Sequence, residues 1–146
     1  MGQAQAAATI SIPSGRLHVR DARPLIYVAS PLSDLPFQYI EWLGRMNDEA
    51  AHLFRQGWAP IIPGNDFLFC YRSPDQLAID DLLEIDREYI RASYAIRIID
   101  TVHLDGRPSY GVSHEIEMAK DFGTRLCYTR AEADAAYAEW TKGAVT

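Results

Sequence analysis

The sequence predicts a single α/β domain in which helices cover both faces of a parallel sheet of four to five strands. Short apolar runs rich in β-forming residues alternate along the chain with longer segments whose apolar residues keep helical spacing. The chain has 146 residues, 48% of them hydrophobic, which is enough for one sizeable core. We therefore expect one domain over residues 24–146, preceded by a flexible arm over residues 1–23 that is rich in Ala and Gln.

The first half of the domain contains two predicted strands and the helix between them. Leu25–Ala29 is an apolar run bounded by prolines, which is typical of a fully buried strand. Residues 38–56 keep strict helical spacing up to a glycine stop, and residues 58–62 form the second strand. Pro60 cannot donate a ladder hydrogen bond, so this second strand is expected at an edge of the sheet.

The second half repeats the alternation. We predict a helix over residues 78–93, a strand over 94–99, a helix that follows Ser109 and stops at Gly123, a strand over 125–128 and a helix over 131–140. Parallel strands joined in this way give a three-layer Rossmann or flavodoxin-like sandwich. Ligands bind beyond the carboxyl ends of its strands, so the loops 30–37 and 63–76 and the helix entry at 111–115 should share one rim.

Charge and cysteine content restrict the partners. The formal net charge is −6 and the pI about 5.1, which argues against binding of a nucleic acid polymer. Cys70 and Cys127 lie far apart with no CxxC pair, which favours a reducing, cytoplasmic setting. The first residues lack both a basic start and a continuous apolar core, so we expect no signal peptide and no membrane anchor.

Three residues could carry chemistry. Glu115 is expected in the first turn of its helix, where free N–H groups and the helix dipole would keep it ionised, although acidic residues at helix starts are also ordinary. Asp86 falls within the apolar stripe of its helix, so it must be paired, protonated or open to a cavity. Arg97 or a helix N-terminus is an ordinary partner for it. Tyr27 lies mid-strand, and its hydroxyl needs a polar partner that could be Glu115.

Metal and nucleotide cofactors are not indicated. His114 and Glu115 begin a zinc-protease pattern, but Met118 stands where the second histidine is required. The chain contains no glycine-rich dinucleotide motif and no P-loop motif. We therefore expect no metal and no cofactor.

Three pieces of the sequence stand out by their order and spacing. They are residues 26–30, Asp86 within a helix, and Ser109-x-Gly111-Val112-x-x-Glu115 followed by Ala119 and Gly123. Together they resemble the nucleoside 2-deoxyribosyltransferase superfamily, which includes deoxynucleoside 5′-monophosphate N-glycosidases. The similarity spans roughly residues 25–128.

The resemblance implies cleavage of an N-glycosidic bond in a nucleoside or nucleoside 5′-monophosphate, by hydrolysis or by base transfer. Glu115 would be the nucleophile on the anomeric carbon, Tyr27 would orient it, and Asp86 would protonate or contact the leaving base. Ser109 would contact the sugar or the 5′-phosphate. The alternative is a catalytically silent nucleotide-binding or regulatory module of the same fold.

Further substrate-binding candidates are Ser30 and Gly111 in the matching motifs, Phe67 and Arg107. Phe67, with Phe69 and Tyr71, could form a base-stacking wall or pack into the core. Arg107 belongs to an insert over residues 101–108 that could supply a phosphate-binding arginine or cover the site.

The resemblance also implies a homodimer or higher oligomer. Tyr39, Trp42 and Trp58 could serve its interface, or they could be ordinary core residues.

Overall fold

The computed structural model describes residues 22–32, 36–66 and 78–144, and it confirms the α/β class. Most of the predicted arm, at residues 1–21, lies outside the described residues, as do Phe67, Phe69, Cys70 and Tyr71. The elements in chain order are β1 Leu25–Ala29, α1 Pro36–Gln56, β2 Ala59–Ile61, a short 3₁₀ turn Pro63–Asn65, α2 Ile79–Ala92, β3 Ala95–Ile98, α3 Tyr110–Phe122, β4 Arg125–Cys127 and α4 Arg130–Gly143.

The four strands form one parallel sheet in the order β2-β1-β3-β4. The edge position predicted for the strand containing Pro60 is therefore confirmed. Several helix boundaries differ from prediction; α2 spans Ile79–Ala92 rather than residues 78–93, and α4 ends at Gly143 rather than at residue 140. Proline suits the first helical position, so α1 begins at Pro36 rather than at residue 38. Thr129 caps α4 by accepting a hydrogen bond from Glu132 N–H, so α4 begins at Arg130 rather than at residue 131.

Side chains of β1 alternate between the two faces of the sheet. Ile26 and Val28 pack with α1 and α4, whereas Tyr27 and Ala29 pack on the other face with α2 and α3. The predicted buried strand therefore contributes side chains to the core on both faces of the sheet. The alternation places the Tyr27 side chain on the face that carries Asp86 and Glu115.

Aromatic residues considered for a subunit interface belong to the core. Trp42 is 1% exposed, Trp58 is fully buried, and Tyr39 is buried with its hydroxyl donating to Gly64 O at 2.7 Å. Their burial within their own chain confirms the alternative that they are ordinary core residues and contradicts a role for them in a subunit interface. Cys127 is buried in β4, where burial raises the pKa of its thiol to about 11, so it acts as a packing residue.

A buried ion network on the α1 side of the sheet holds Arg97. Its side chain donates to Glu49 Oε1 at 2.9 Å and to Tyr128 O at 2.9 Å, and Arg130 donates to Glu49 Oε2 at 2.8 Å. The suggested pairing of Arg97 with Asp86 is therefore wrong. Strand alternation turns Arg97 to the face opposite Asp86, since the neighbours of Arg97 in β3 occupy the other face.

The network also sets the charge state of Glu49. Burial alone would raise the pKa of this carboxyl, but hydrogen bonds and positive charge from Arg130 and Arg97 lower it overall. Glu49 therefore stabilises the fold as a carboxylate, and this contribution is lost as the pH falls through its depressed pKa.

None of the helices within the described ranges has the length and apolar character that a membrane span requires.

Replacement of Glu49 by Gln should lower the free energy of unfolding by roughly 2–4 kcal/mol, because the charge of the buried Arg97 loses its partner. Glu41→Gln on the same helix is the matched control. It breaks a half-exposed pair with Arg45 and should cost less than about 1 kcal/mol. Urea denaturation of both variants at pH 7 measures the difference, and equal losses would contradict the structural role given to Glu49.

Candidate active site

A cleft of about 450 Å³ lies beyond the carboxyl ends of the central strands. Its walls come from the segment after β1, the 3₁₀ turn after β2, helix α2, the loop between β3 and α3, and the first turns of α3. Ser30, Pro63 and Gly111 all line it, so the predicted common rim is confirmed for the described parts of these loops. The volume is within the range of small-molecule sites.

Helix α3 brings Glu115 to the cleft from its second turn. The helix begins at Tyr110, and the Ser109 hydroxyl caps it by accepting a hydrogen bond from Val112 N–H at 3.3 Å. The prediction that Glu115 lies in the first turn is therefore wrong. Its N–H is inside the helical ladder, so free N–H groups at the helix start do not hold its carboxylate.

One hydrogen bond fixes the orientation of Glu115. The hydroxyl of Tyr27 donates to Glu115 Oε1 at 2.7 Å, across 88 residues of sequence, as the sequence predicted. Tyr27 is fully buried and Glu115 is 8% exposed. Among the described residues no partner lies within hydrogen-bond distance of Glu115 Oε2 or of the Ser30 hydroxyl, and both residues line the cleft.

Asp86 is the second carboxyl of the site. It lines the cleft from α2 and interacts with the Tyr27 hydroxyl, which raises the pKa of Tyr27 and opposes the rise in the pKa of Asp86. A tyrosine has only one hydroxyl proton, and Tyr27 donates it to Glu115 Oε1. Tyr27 thus lies beside both carboxyls.

Burial raises the pKa of both carboxyls. The pKa of Glu115 rises to about 8, because burial and the charge of Asp86 outweigh the hydrogen bond from Tyr27. The pKa of Asp86 rises to about 6, mainly by burial, with the hydrogen bond from Tyr27 opposing it and the charge of Asp66 adding to it. Burial and both carboxylates raise the pKa of Tyr27 well above 10.0. These pKa values favour a neutral Glu115 over the expected carboxylate, because they leave the pair with about one proton at pH 7.

The remaining sequence candidates have different surroundings. Ser109 is buried at the cleft, but its oxygen already caps α3. Gly111 lines the cleft, with space around it for a side chain. Arg107 reaches the cleft from an exposed position, where it pairs with Asp105 at 2.8 Å. Phe67 lies outside the described residues.

Sequence reasoning did not assign Asp66, Asp80 or His103 to the site, yet all three line the cleft. Asp66 follows the second strand on the predicted rim, and this position could have singled it out. Asp80 lies in the first turn of α2, where acidic residues are ordinary, so the sequence carried no signal for it. His103 has no second histidine near it in the sequence that would mark a site.

The described residues contain no group of three or more His, Cys, Asp or Glu side chains arranged to hold a metal ion. Comparison of the chain with protein-family models, with curated proteins and with solved structures gave no match. The resemblance to nucleoside 2-deoxyribosyltransferases therefore stays a prediction from motifs.

Glu115→Gln should stabilise the fold more at high pH than at low pH. The pKa of Glu115 rises from 4.5 to about 8 on folding, so the fold loses stability as the pH rises between these values. A neutral glutamine removes that loss, which we put at roughly 1–4 kcal/mol at pH 8. Denaturant unfolding at pH 5 and pH 8 measures it. Glu117→Gln, an exposed change on the same helix, should show no such pH dependence. An equal effect of Glu115→Gln at both pH values would contradict the burial argument.

Proposed function

We propose that this protein cleaves the N-glycosidic bond of a nucleoside or nucleoside 5′-monophosphate, by hydrolysis or by transfer to another base. The observation that carries the proposal is the orientation of Glu115. Tyr27 holds one carboxyl oxygen, and the other has no partner among the described residues that line the cleft. A carboxylate held at one oxygen and unpaired at the other is suited to act as a nucleophile on an anomeric carbon.

The chemistry divides between the two carboxyls. Glu115 Oε2 forms a bond to the anomeric carbon as the bond to the base nitrogen breaks, and the bonding pair leaves with the base. Asp86 donates a proton to the departing nitrogen. Water or a second base then attacks the anomeric carbon and releases Glu115, and the proton lost by this nucleophile returns to Asp86.

Tyr27 offers a route for the proton that this division requires. The higher pKa belongs to Glu115, whereas the reaction needs the proton on Asp86. The Tyr27 hydroxyl bonds Glu115 and interacts with Asp86, so one concerted shift through it would exchange their states. Positive charge that develops on the sugar lies beside Glu115 and lowers its pKa at that stage.

The start of α3 supports binding of a sugar or phosphate. The N–H groups of Tyr110 and Gly111 belong to the first turn, where helical partners are lacking, and both residues line the cleft. Ser30 adds an unpartnered hydroxyl within the described part of the chain.

A binding module without turnover is the second candidate. The pKa of about 8 at Glu115 favours this second candidate, because it leaves the glutamate neutral at pH 7. Both candidates use the same cleft, and turnover separates them.

Chromatographic release of free base from nucleosides and 5′-monophosphates, ribo and deoxy, tests the proposal. We expect release by the parent protein and a loss of about 10³-fold or more in Glu115→Gln, because the nucleophile is gone. Glu117→Gln should keep full activity. Absence of release from every substrate, with acceptor bases also supplied, would leave the binding module as the function.

Activity should be highest between about pH 6 and pH 8. Below this range both carboxyls are protonated and the nucleophile is lost, and above it both are ionised and the acid is lost. The pH dependence of kcat/KM measures the fall in activity below this range, the acid limb, and above it, the alkaline limb.

Asp86→Asn checks the origin of the alkaline limb. It should lower turnover by about 10²- to 10⁴-fold for ordinary nucleosides, but much less for 7-methylguanosine, whose cationic base leaves without a proton. Equal losses on both kinds of substrate would contradict the role of Asp86 as the acid.

A further inference from the structure

Asp66 is a third carboxyl of the cleft that the proposed mechanism does not use. It follows the 3₁₀ turn after β2, where its N–H donates to Pro63 O at 2.9 Å. Its charge contributes to the raised pKa of Asp86, so the two carboxyls are close enough to interact. Asp66 therefore lies on the side of Asp86, the side that a leaving base would occupy.

Tyr89 lies beside Asp66. The two side chains are close enough for each to shift the pKa of the other, and Tyr89 lies three residues after Asp86, so Tyr89 and Asp86 project from the same side of α2. The tyrosine can donate only one proton, whereas a carboxylate has about four acceptor positions. Acceptor positions of Asp66 thus remain for a ligand.

The wall of the cleft on this side offers acceptors and apolar surface. Helix α2 contributes Asp80, Leu82, Leu83 and Asp86 to the lining, and the 3₁₀ turn contributes Pro63 and Asp66. None of these side chains is a cation. The basic lining residues within the described chain, His103 and Arg107, belong to the loop before α3.

Independent observations mark this cleft as a ligand site. Glu115 Oε2 and the Ser30 hydroxyl are buried polar atoms without partners among the described residues. Glu115 is 8% exposed and Ser30 is 6% exposed. A ligand that enters the cleft can satisfy them.

We propose that Asp66 selects nucleobases that carry an exocyclic amine, such as cytosine or adenine, over their carbonyl counterparts uracil and hypoxanthine. This inference rests on the proposed function, because it takes the base to lie beside Asp86. An amine donates to the free acceptor positions of Asp66, whereas a carbonyl oxygen there meets a carboxylate that cannot donate to it. A half-buried carboxylate left facing an acceptor disfavours the wrong base.

The matched ligand pairs cytidine with uridine and adenosine with inosine test the selection, together with the corresponding deoxynucleosides. Calorimetric titration of the inactive Glu115→Gln protein measures binding without turnover. We expect the amine-bearing member of each pair to bind about 10- to 100-fold more tightly, as befits a hydrogen bond to a charged group.

Asp66→Asn in the same background should bring the two affinities of each pair close together, because an amide both donates and accepts. Tyr89→Phe should weaken the preference by a smaller factor, because Asp66 loses the neighbouring hydroxyl of Tyr89. Glu84→Gln removes an exposed carboxylate that lies on α2 but does not line the cleft, so it should leave the preference unchanged. Thermal melting of each variant establishes that it is folded.

The outcomes separate the inference from the proposed function. Equal binding within each pair, no binding of any nucleoside, or an unchanged preference in folded Asp66→Asn would overturn the inference. Release of uracil as readily as cytosine by the parent protein would overturn it while supporting glycosidic cleavage. A preference for amines that depends on Asp66, without base release from any substrate, would uphold it and remove the proposed function.

Discussion

The hydrogen bond from Tyr27 to Glu115 is the contact on which the arrangement of the site depends. It joins the middle of the sheet to the second turn of α3, and it exists because strand alternation turns Tyr27 away from α1. A shift of one residue in the register of β1 would move the tyrosine to the opposite face. The same hydroxyl is close enough to Asp86 on α2 to affect its pKa, so one side chain adjoins both carboxyls.

The sheet also separates charges. Arg97, the buried arginine of β3, turns to the face of α1, where Glu49 neutralises it. Its neighbours in the strand, Ile96 and Ile98, present hydrocarbon to the other face. Glu115 and Asp86 are therefore buried against tyrosine hydroxyls and apolar groups, and burial is the largest cause of their raised pKa values. One alternation pattern thus yields a stabilising ion network on one face and carboxyls with raised pKa values on the other.

Local patterns in the sequence predicted the sheet and the edge strand at Pro60. They also indicated Glu115 as a candidate partner for the Tyr27 hydroxyl. Alternation and helical spacing determine which side chains face one another, and both can be read along the chain. The ionisation of Glu115 and the partner of Arg97 could not be read in this way. The first depends on Ser109 acting as the cap, which moves Glu115 beyond the free N–H groups. The second depends on which face of the sheet an arginine occupies.

Burial gives Glu115 a preference for its neutral form. The fold is more stable when Glu115 keeps a proton, because its carboxylate is buried with no cation among the described residues that shift its pKa. Under the proposed reaction, positive charge that develops on a sugar beside Glu115 would favour the carboxylate, and its proton would pass to Asp86, the neighbouring carboxyl. On that proposal, the same burial that costs stability makes the ionisation of Glu115 depend on a bound substrate.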